Sequence, residues 1–222
     1  MTATTPFQRA RSEEQKQRRA AYLLDSARTL AAARGVRSVT LTEIANQAGI
    51  HVSAVRRYYE SREEILLQLA GEGWRDWAAA VTSDLAARRP ASADALAQVL
   101  ATSLGDRGLF CDLLGHVSLS LEREVSIDRA LEFKVLGLDA VDELVAAIRA
   151  SVPVLSAAQA RDVVATAASL AASTWQASHP PASLQQLYRE DPRLRHDAVE
   201  FVPTLRRTLR ALVSGMLTEE PT

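Results

Sequence analysis

The residues of this 222-residue chain that are best suited to chemistry lie in one segment, residues 40–66, TLTEIANQAGIHVSAVRRYYESREEIL. Two neighbouring arginines, Arg56 and Arg57, follow the glycine turn at Gly49. A guanidinium group can read O6 and N7 of guanine or pair with a phosphate. The backbone N–H groups of a helix that begins at Thr40 can also bind a phosphate. These residue types therefore indicate binding of a nucleic acid.

Patterns that would support catalysis or metal binding are weak. The histidines form no H-E-x-x-H motif, and neither a phosphate-binding glycine loop nor a G-x-S-x-G motif occurs. The single cysteine, Cys111, allows no internal disulfide and supplies too few ligands for a cysteine-based zinc site. The best carboxylate pair, Asp139 and Glu143, is one helical turn apart and typical of surface charge. We expect no enzyme activity, no metal and no cofactor.

Charge is distributed unevenly along the chain. Residues 1–62 contain eleven Lys and Arg and five Asp and Glu, a net charge of +6, and the remainder carries -7, which together make the total of -1. A basic segment suits DNA, whereas an acidic one is repelled by it. The alternative is an all-helical protein–protein assembly module with no DNA-binding role. Exposed Arg56 and Arg57 would favour DNA binding, and pairing of both with the acidic remainder would favour assembly.

The composition and patterning predict an all-α fold. Aromatic residues make up only 5% of the chain, alanine runs are frequent and no segment alternates like a strand. Thr40 and Glu43 have the spacing of a capping box, and Gly49 ends that short helix and separates it from the next, as in a helix-turn-helix. The predicted helices span about 13–34, the two turns between Thr40 and Gly49, 53–59, 62–88, 92–105, 108–118, 127–150, 157–178, 182–189 and 194–217.

The N-terminal segment resembles the TetR family of bacterial transcriptional repressors. The resemblance rests on a first helix, then T-x-x-x-I-A-x-x-A-G in residues 40–49, then Y-[YF]-x-S-[KR]-E-E-[LI] in residues 58–65. It implies a repressor that forms a homodimer, binds a double-stranded DNA operator of two half-sites and is released by a small-molecule effector. It also implies an N-terminal DNA-binding domain and a larger all-helical domain for ligand binding and dimerisation.

The predicted organisation has three parts: a flexible basic arm at 1–12, a helix-turn-helix domain at 13–62, and an effector-binding and dimerisation domain at 63–222. No apolar run reaches the length of a membrane span, and the N-terminus lacks the apolar stretch of a signal peptide. We therefore expect a cytoplasmic protein with no membrane partner.

The family resemblance also implies the DNA contacts. Thr40, Thr42 and Tyr58 match positions that commonly touch DNA, and Arg62 stands where a phosphate-binding lysine is usual. Residues 52–56, VSAVR, replace the usual small-Gly-Thr-[LV]-Tyr run, which implies an operator unlike that of better-matched members. The predicted DNA-binding residues are Thr40, Thr42, His51, Ser53, Arg56, Arg57, Tyr58 and Arg62.

The C-terminal region resembles the family only in being helical and of the right length, so the resemblance does not locate the ligand site. Such sites are mostly apolar with a few polar groups, and the candidates are residues of these types. For each candidate, core packing is the alternative. Gly71 and Gly73 in the fourth helix either form a hinge or allow close packing. Apolar stripes on the eighth and last helices face either a partner subunit or the subunit's own core. The ligand-binding candidates are Trp74, Trp77, Phe110, Cys111, His116, Phe133 and Trp175.

Overall fold

The computed structural model describes residues 6–88, 92–194 and 200–218, and all regular structure within these ranges is helical. Short 3₁₀ turns span Val36–Ser38 and Pro192–Leu194, and a π-helical turn spans Val117–Leu121. The predicted all-α fold class is confirmed. The α-helices are α1 (Pro6–Arg34), α2 (Leu41–Gln47), α3 (Val52–Val55), α4 (Arg62–Arg88), α5 (Ala93–Gly105), α6 (Gly108–His116), α7 (Ile127–Ser151), α8 (Ala157–Ser178), α9 (Ala182–Glu190) and α10 (Phe201–Thr218).

The predicted capping box begins α2. The Glu43 N–H donates to Thr40 Oγ1 at 3.3 Å, and the Thr40 N–H donates to Glu43 Oε2 at 2.9 Å. The chain then reverses at Gly49, whose φ of 70° lies in the left-handed region that favours glycine. Ile44 and Val55 are both fully buried across this turn. The helix-turn-helix predicted from local signals is confirmed.

The third helix is shorter than predicted. α3 ends at Val55, and the helix expected to reach Tyr59 continues as a turn in which the Arg57 N–H donates to Ala54 O at 3.2 Å. Serine and the two β-branched valines have low helix propensity, and such tighter bonding is frequent at helix ends. As a result, Arg56 and Arg57 lie in the turn after α3 and not within a helix.

Both ends of the chain differ from the prediction. α1 begins at Pro6, so part of the predicted arm at 1–12 is helical, and residues 1–5 lie outside the described ranges. Proline suits the first helical position because it needs no N–H partner there. The last helix does not begin at 194, because Leu194 belongs to a separate 3₁₀ turn and α10 starts at Phe201. This start places Pro203 in the first turn of α10, where a missing N–H costs nothing.

Two hydrophobic cores meet along α4. The N-terminal core joins α1, α2 and α3 to the beginning of α4, and it also contains Leu113, Val117, Leu121 and Phe133 from further along the chain. The C-terminal core lies among α4, α5, α6, α7, α8 and α10. Because α4 runs unbroken from one core to the other, it couples the two parts of the molecule.

The apolar stripes of α8 and α10 face the subunit's own core. Val163, Val164, Leu205 and Leu209 are at most 1% exposed within a single chain. Much of each stripe is thus buried within one chain, but Leu170, Leu212 and Met216 are only partly buried, and a contribution of α8 and α10 to an interface between subunits stays a prediction. Alanines on α8, such as Ala167, let neighbouring helices approach closely, which allows this part of the stripes to be buried without a partner.

The two α4 glycines serve close packing. A Cβ on Gly73 would collide with the ring of Phe110, and a Cβ on Gly71 would come within 3.2 Å of Leu136. The helix is continuous through both positions. The structure thus favours close packing over the predicted hinge.

Candidate DNA-binding surface and ligand pocket

Arg56 and Arg57 are exposed, and neither takes part in an ion pair among the described residues. Other arginines of the same region are paired instead: Arg28 with Glu72 at 2.6 Å, Arg34 with Glu43 at 2.9 Å and Arg62 with Glu63 at 2.8 Å. The two guanidinium groups of the turn after α3 are therefore available to another molecule.

Polar side chains surround the N-terminal ends of α2 and α3. Thr40, Thr42, His51 and Ser53 are all exposed. His51 Nδ1 accepts the Ser53 N–H at 3.3 Å and caps α3. Because the N–H groups of Thr40 and Glu43 are both bonded within the capping box, the N–H groups left for a phosphate at the start of α2 are those of Leu41 and Thr42.

Glu43 is held as a carboxylate beside this helix end. Hydrogen bonds from Thr40 and from Arg34 lower its pKa below the ordinary value of 4.5. The charge keeps the capping box formed at neutral pH, so α2 begins at a fixed residue. A fixed start of α2 fixes in turn the direction of the glycine turn and of α3.

Tyr58 and Arg62 are less accessible than the other predicted DNA contacts. Tyr58 is half-buried, and Arg62 donates through Nη2 to the Val36 carbonyl oxygen at 2.7 Å and through Nη1 to Glu63 at 2.8 Å. Arg62 thus binds the backbone just before α2. These bonds use two of the five N–H donors of the guanidinium group, and a phosphate contact by Arg62 stays a prediction.

A cavity of about 370 Å³ lies between four helices, α4, α6, α7 and α8, and the π-helical turn that follows α6 also lines it. Trp74 and Phe133 are the two predicted ligand-binding residues that line it. Its polar groups are the hydroxyls of Ser118 and Ser169 and an ion pair in which Lys134 Nζ lies 2.7 Å from Glu122 Oε1. The remaining lining residues are Leu114, Val117, Gly137, Leu138, Val141, Ala165, Ala168 and Ala172.

Three other candidates belong to the core. Trp77, Phe110 and Cys111 are at most 4% exposed, and the Trp77 and Phe110 ring centroids are 6.1 Å apart. Burial raises the pKa of the Cys111 thiol to about 12, and the thiol donates to Leu104 O at 3.3 Å. This aromatic cluster reaches the pocket through Trp74, whose ring centroid is 5.4 Å from that of Phe110.

His116 and Trp175 also contact neighbours away from the pocket lining. The His116 Nε2 atom lies 3.5 Å from Asp112 Oδ1. The Trp175 ring stacks on His179 at a centroid distance of 3.7 Å and meets Phe201 edge-on at 5.3 Å. Two of the seven residues proposed for ligand binding, Trp74 and Phe133, therefore line this pocket.

A larger open groove of about 890 Å³ separates α4 from α7. It contains Asp139 and Glu143, the carboxylate pair noted in the sequence, beside Leu131, Val135 and Leu136. Arg129 at one end pairs with the buried Glu64 at 2.8 Å and with Glu132 at 2.7 Å. Neither residue of the carboxylate pair has an ion-pair partner in the part of the chain that the structure describes.

Asp112 is the functional candidate that the sequence did not reveal. Its Oδ2 atom accepts the Val36 N–H at 2.7 Å, and its Oδ1 atom accepts the Gln176 side-chain amide at 2.8 Å. These partners are 76 and 64 residues away in the sequence, so no local pattern could have linked them.

Two family models match the chain. Residues 23–69 match a model described as bacterial regulatory proteins of the tetR family, and residues 72–220 match one described as a tetracyclin repressor-like C-terminal domain. Comparison with curated protein sequences finds no match.

Solved structures share the fold across nearly the whole chain. FadR of Thermus thermophilus, a TetR-family repressor solved with lauroyl-CoA, has a TM-score of 0.55 at 18% identity, covering 91% of this chain and 97% of that one. FadR of Bacillus halodurans gives 0.54 at 12% identity, covering 94% and 97%. A TetR-family regulator from Streptomyces coelicolor gives 0.52 at 16% identity, covering 89% and 99%.

The described residues contain neither a membrane-spanning helix nor a cluster of metal-ligand side chains. None of the helices is both long enough and apolar enough to cross a bilayer. Within the same ranges, no three or more His, Cys, Asp or Glu side chains are grouped as a metal site would require.

Proposed function

Since the chain belongs to the TetR family of bacterial transcriptional regulators, we propose that it represses transcription as a homodimer on a two-half-site operator. A small molecule in the 370 Å³ pocket releases it from the DNA. The observation that carries the DNA contacts is the exposed, unpaired state of Arg56 and Arg57 at the end of the helix-turn-helix. The protein acts in the cytoplasm, where the chromosome lies.

The DNA-binding surface combines direct and electrostatic contacts. Arg56 and Arg57 contact bases or phosphates, while Thr40, Thr42, His51 and Ser53 contact the backbone near the ends of α2 and α3. The charge of +6 on residues 1–62 attracts DNA, and the acidic remainder keeps the rest of the molecule away from it. In a dimer, the two copies of α3 and of the turn that follows it would lie about 34–36 Å apart, which is one turn of DNA.

The rival function, protein assembly through the basic segment, has less support. It requires Arg56 and Arg57 to pair with acidic residues of the C-terminal part. In the described chain, the C-terminal acids that pair with arginines of residues 1–62 are Glu72, with Arg28, and Glu63, with Arg62.

The pocket indicates a small, mostly apolar effector. A volume of about 370 Å³ is near the lower end of the range of ligand sites, and the lining is mainly aliphatic with Trp74 and Phe133. Ser118, Ser169 and the Glu122–Lys134 pair can orient one polar group of the ligand. An apolar body with a single polar group fits this lining.

The DNA contacts can be tested on operator fragments selected from genomic DNA by the wild-type protein. We expect the Arg56→Ala, Arg57→Ala double variant to lose affinity by about 1–3 kcal/mol for each arginine that reads a base. Gel shifts at a fixed salt concentration measure this loss. Unchanged affinity of the double variant would show that the turn after α3 does not contact DNA.

A matched control separates position from charge. Arg149→Ala with Arg207→Ala removes two exposed arginines of the C-terminal part, neither of which pairs with an acid among the described residues. The net charge changes by the same amount, so operator affinity should stay near wild type. An equal loss in both double variants would point to a general charge effect.

Ligand binding can be screened by tryptophan fluorescence, because Trp74 lines the pocket. A compound that occupies it should change the emission of the wild type, and Trp74→Phe should remove most of that change. The same compound should release operator DNA in the gel shift. Emission changes that survive Trp74→Phe would place the compound elsewhere.

The homodimer is tested by light scattering. One chain has a mass of 24.1 kDa, and the proposal requires twice this mass at micromolar concentration. A monomeric mass in the presence and absence of operator would reject the two-half-site mode of binding.

A further inference from the structure

A single buried carboxylate connects the DNA-binding part of the molecule to the walls of the pocket. Asp112 on α6 is 8% exposed, and its two oxygens bind elements on opposite sides. Oδ2 accepts the backbone N–H of Val36, and Oδ1 accepts the amide of Gln176 on α8. Hydrogen bonds to a charged acceptor are about twice as strong as neutral ones. The bond to Val36 is buried, whereas Gln176 is exposed and its bond to Asp112 is part-buried.

On the DNA-binding side, the link reaches the backbone immediately before α2. Val36 is 1% exposed, and its carbonyl oxygen accepts from Arg62 Nη2 at 2.7 Å while its N–H is held by Asp112. The chain enters this turn through Gly35, whose φ of 82° is in the left-handed region. Both polar groups of Val36 are thus bound, one by α4 and one by α6. The position of this residue sets where the helix-turn-helix begins.

On the other side, the link reaches the pocket. Gln176 lies one helical turn beyond Ala172, which lines the pocket on α8. Leu114 on α6 and Val117 at the start of the π-helical turn line the pocket, two and five residues after Asp112. The two helices that hold the carboxylate therefore form the pocket wall, and a ligand that moves either wall also moves Asp112.

The charge of Asp112 is stabilised where it lies. Burial by itself raises the pKa of the carboxyl, but contacts with His116, the Val36 N–H and Gln176 outweigh it, and the pKa lies below the ordinary 3.8. At neutral pH the group is a carboxylate that accepts bonds from both sides. Loss of these bonds would leave a buried charge unsatisfied, which is costly.

We propose that Asp112 is the positioning residue that fixes the helix-turn-helix to the pocket wall, so that a ligand between α6 and α8 acts on DNA binding by displacing this carboxylate. The proposal rests on the function proposed above for its ligand and DNA. The bond from Asp112 to Val36 can nevertheless be measured in the free protein.

The first experiment measures hydrogen exchange of the Val36 amide by NMR in two variants of the full chain. Asp112→Leu removes both acceptors, and we expect exchange at Val36 to become about tenfold faster or more. Asp112→Asn keeps one oxygen for Val36, and Gln176 can turn to accept from the new amide. Exchange in this second variant should stay within about threefold of wild type.

Exchange in α5 and α10 reports whether each variant is folded. These helices lie in the C-terminal core, and their protection should not change. A folded Asp112→Leu protein with wild-type exchange at Val36 would overturn the proposal.

The second experiment uses a pocket-filling substitution as the ligand mimic. Ala172→Phe places a ring in the pocket, and Ala146→Phe places one on the exposed surface of α7 as the control. We expect Ala172→Phe, but not Ala146→Phe, to accelerate exchange at Val36 by about threefold or more. In the Asp112→Leu background, Ala172→Phe should add nothing, because the link is already broken.

Additive effects of Ala172→Phe and Asp112→Leu would show that the pocket reaches Val36 by another route, and would overturn the proposal. If Asp112→Leu does not fold, Gln176→Leu serves instead, since it cuts the link to α8 and leaves the Val36 bond. It should weaken the effect of Ala172→Phe, because Ala172 and Gln176 both lie on α8, and an undiminished effect would refute transmission from α8 through Asp112.

These outcomes are independent of the proposed function. A wild-type protein that selects no DNA would remove that function, while the exchange measurements would still decide whether Asp112 joins the pocket wall to Val36. Where an operator is found, its affinity for Asp112→Leu should fall about tenfold relative to Asp112→Asn.

Discussion

The DNA-binding surface and the ligand pocket are built in different ways. The surface consists of exposed side chains on a short continuous segment, held by bonds between residues two to four positions apart, such as Thr40 with Glu43 and His51 with Ser53. The pocket is lined by residues from α4, α6, α7 and α8, and Trp74 and Ala172 meet there only through folding. The exposed side chains of the surface contribute little to the core, whereas the pocket exists only where these four helices pack together.

The distribution of charge sharpens this contrast. In the C-terminal part, several arginines are tied to acids on neighbouring helices, as in Arg161 with Asp142 and Arg206 with Asp94, both at 2.7 Å. Exposed pairs of this kind contribute little to stability. Arg56 and Arg57 have no such partner among the described residues, and the same is true of Arg149 and Arg207. What distinguishes Arg56 and Arg57 is their position beside α3.

The largest expected effect separates stability from binding. Trp77→Ala removes a fully buried ring from the C-terminal core and should reduce the free energy of unfolding by about 3–5 kcal/mol. Chemical denaturation measures this change. The Arg56→Ala, Arg57→Ala variant should unfold like wild type under the same conditions. Similar destabilisation in both would show that the two regions do not differ as described.

The glycines of the C-terminal part should respond in opposite directions. Gly73→Ala forces a Cβ into the ring of Phe110 and should destabilise the protein by about 1–3 kcal/mol. Gly137→Ala, on α7 with no atom within 4 Å of the new Cβ, should stabilise it by about 0.5–1 kcal/mol. Thermal unfolding of the two variants provides the comparison. A neutral Gly73→Ala variant would contradict the role of this glycine in close helix contact.

The two capping boxes allow a matched test of the two regions. Thr40→Ala and Ser156→Ala each remove the side chain that accepts the first-turn N–H of a helix, and each should cost about 1 kcal/mol of stability. Only Thr40→Ala should also weaken operator binding, since α2 lies in the DNA-binding part. Gel shifts and denaturation on the same samples separate the two effects. Equal operator affinity for both variants would argue against a role of the α2 N-terminus in binding.

The smallest effect is a dependence on pH. The folded-state pKa of Asp112 lies below its ordinary value of 3.8, so its contribution to stability is present above that value. This contribution is lost as the pH falls through the folded-state pKa. The difference in unfolding free energy between wild type and Asp112→Asn should therefore shrink in acid. If the difference in unfolding free energy between the two proteins stays constant from neutral pH to below pH 3.8, the fold does not stabilise the carboxylate.

The sequence by itself determined the helix-turn-helix and the starts of α2 and α8, but not the end of α3 or the starts of α1 and α10. The capping box at Thr40 and the reversal at Gly49 were predicted, and Ser156 has the same spacing to Gln159 that defines a capping box. Each depends on hydrogen bonds or side-chain spacing within about one helical turn. Interactions of this range can be identified from the sequence, because both partners lie in the same short stretch of the chain.

Only the tertiary structure decided which faces meet. The stripes of α8 and α10 turn inward, Trp77 and Phe110 belong to the core while Trp74 reaches the pocket, and Asp112 binds a peptide 76 residues away. An apolar face is equally suited to its own core, a partner or a ligand, because hydrophobic burial has no direction. Contacts with the other helices select among these outcomes, and that selection involves residues far apart in the chain.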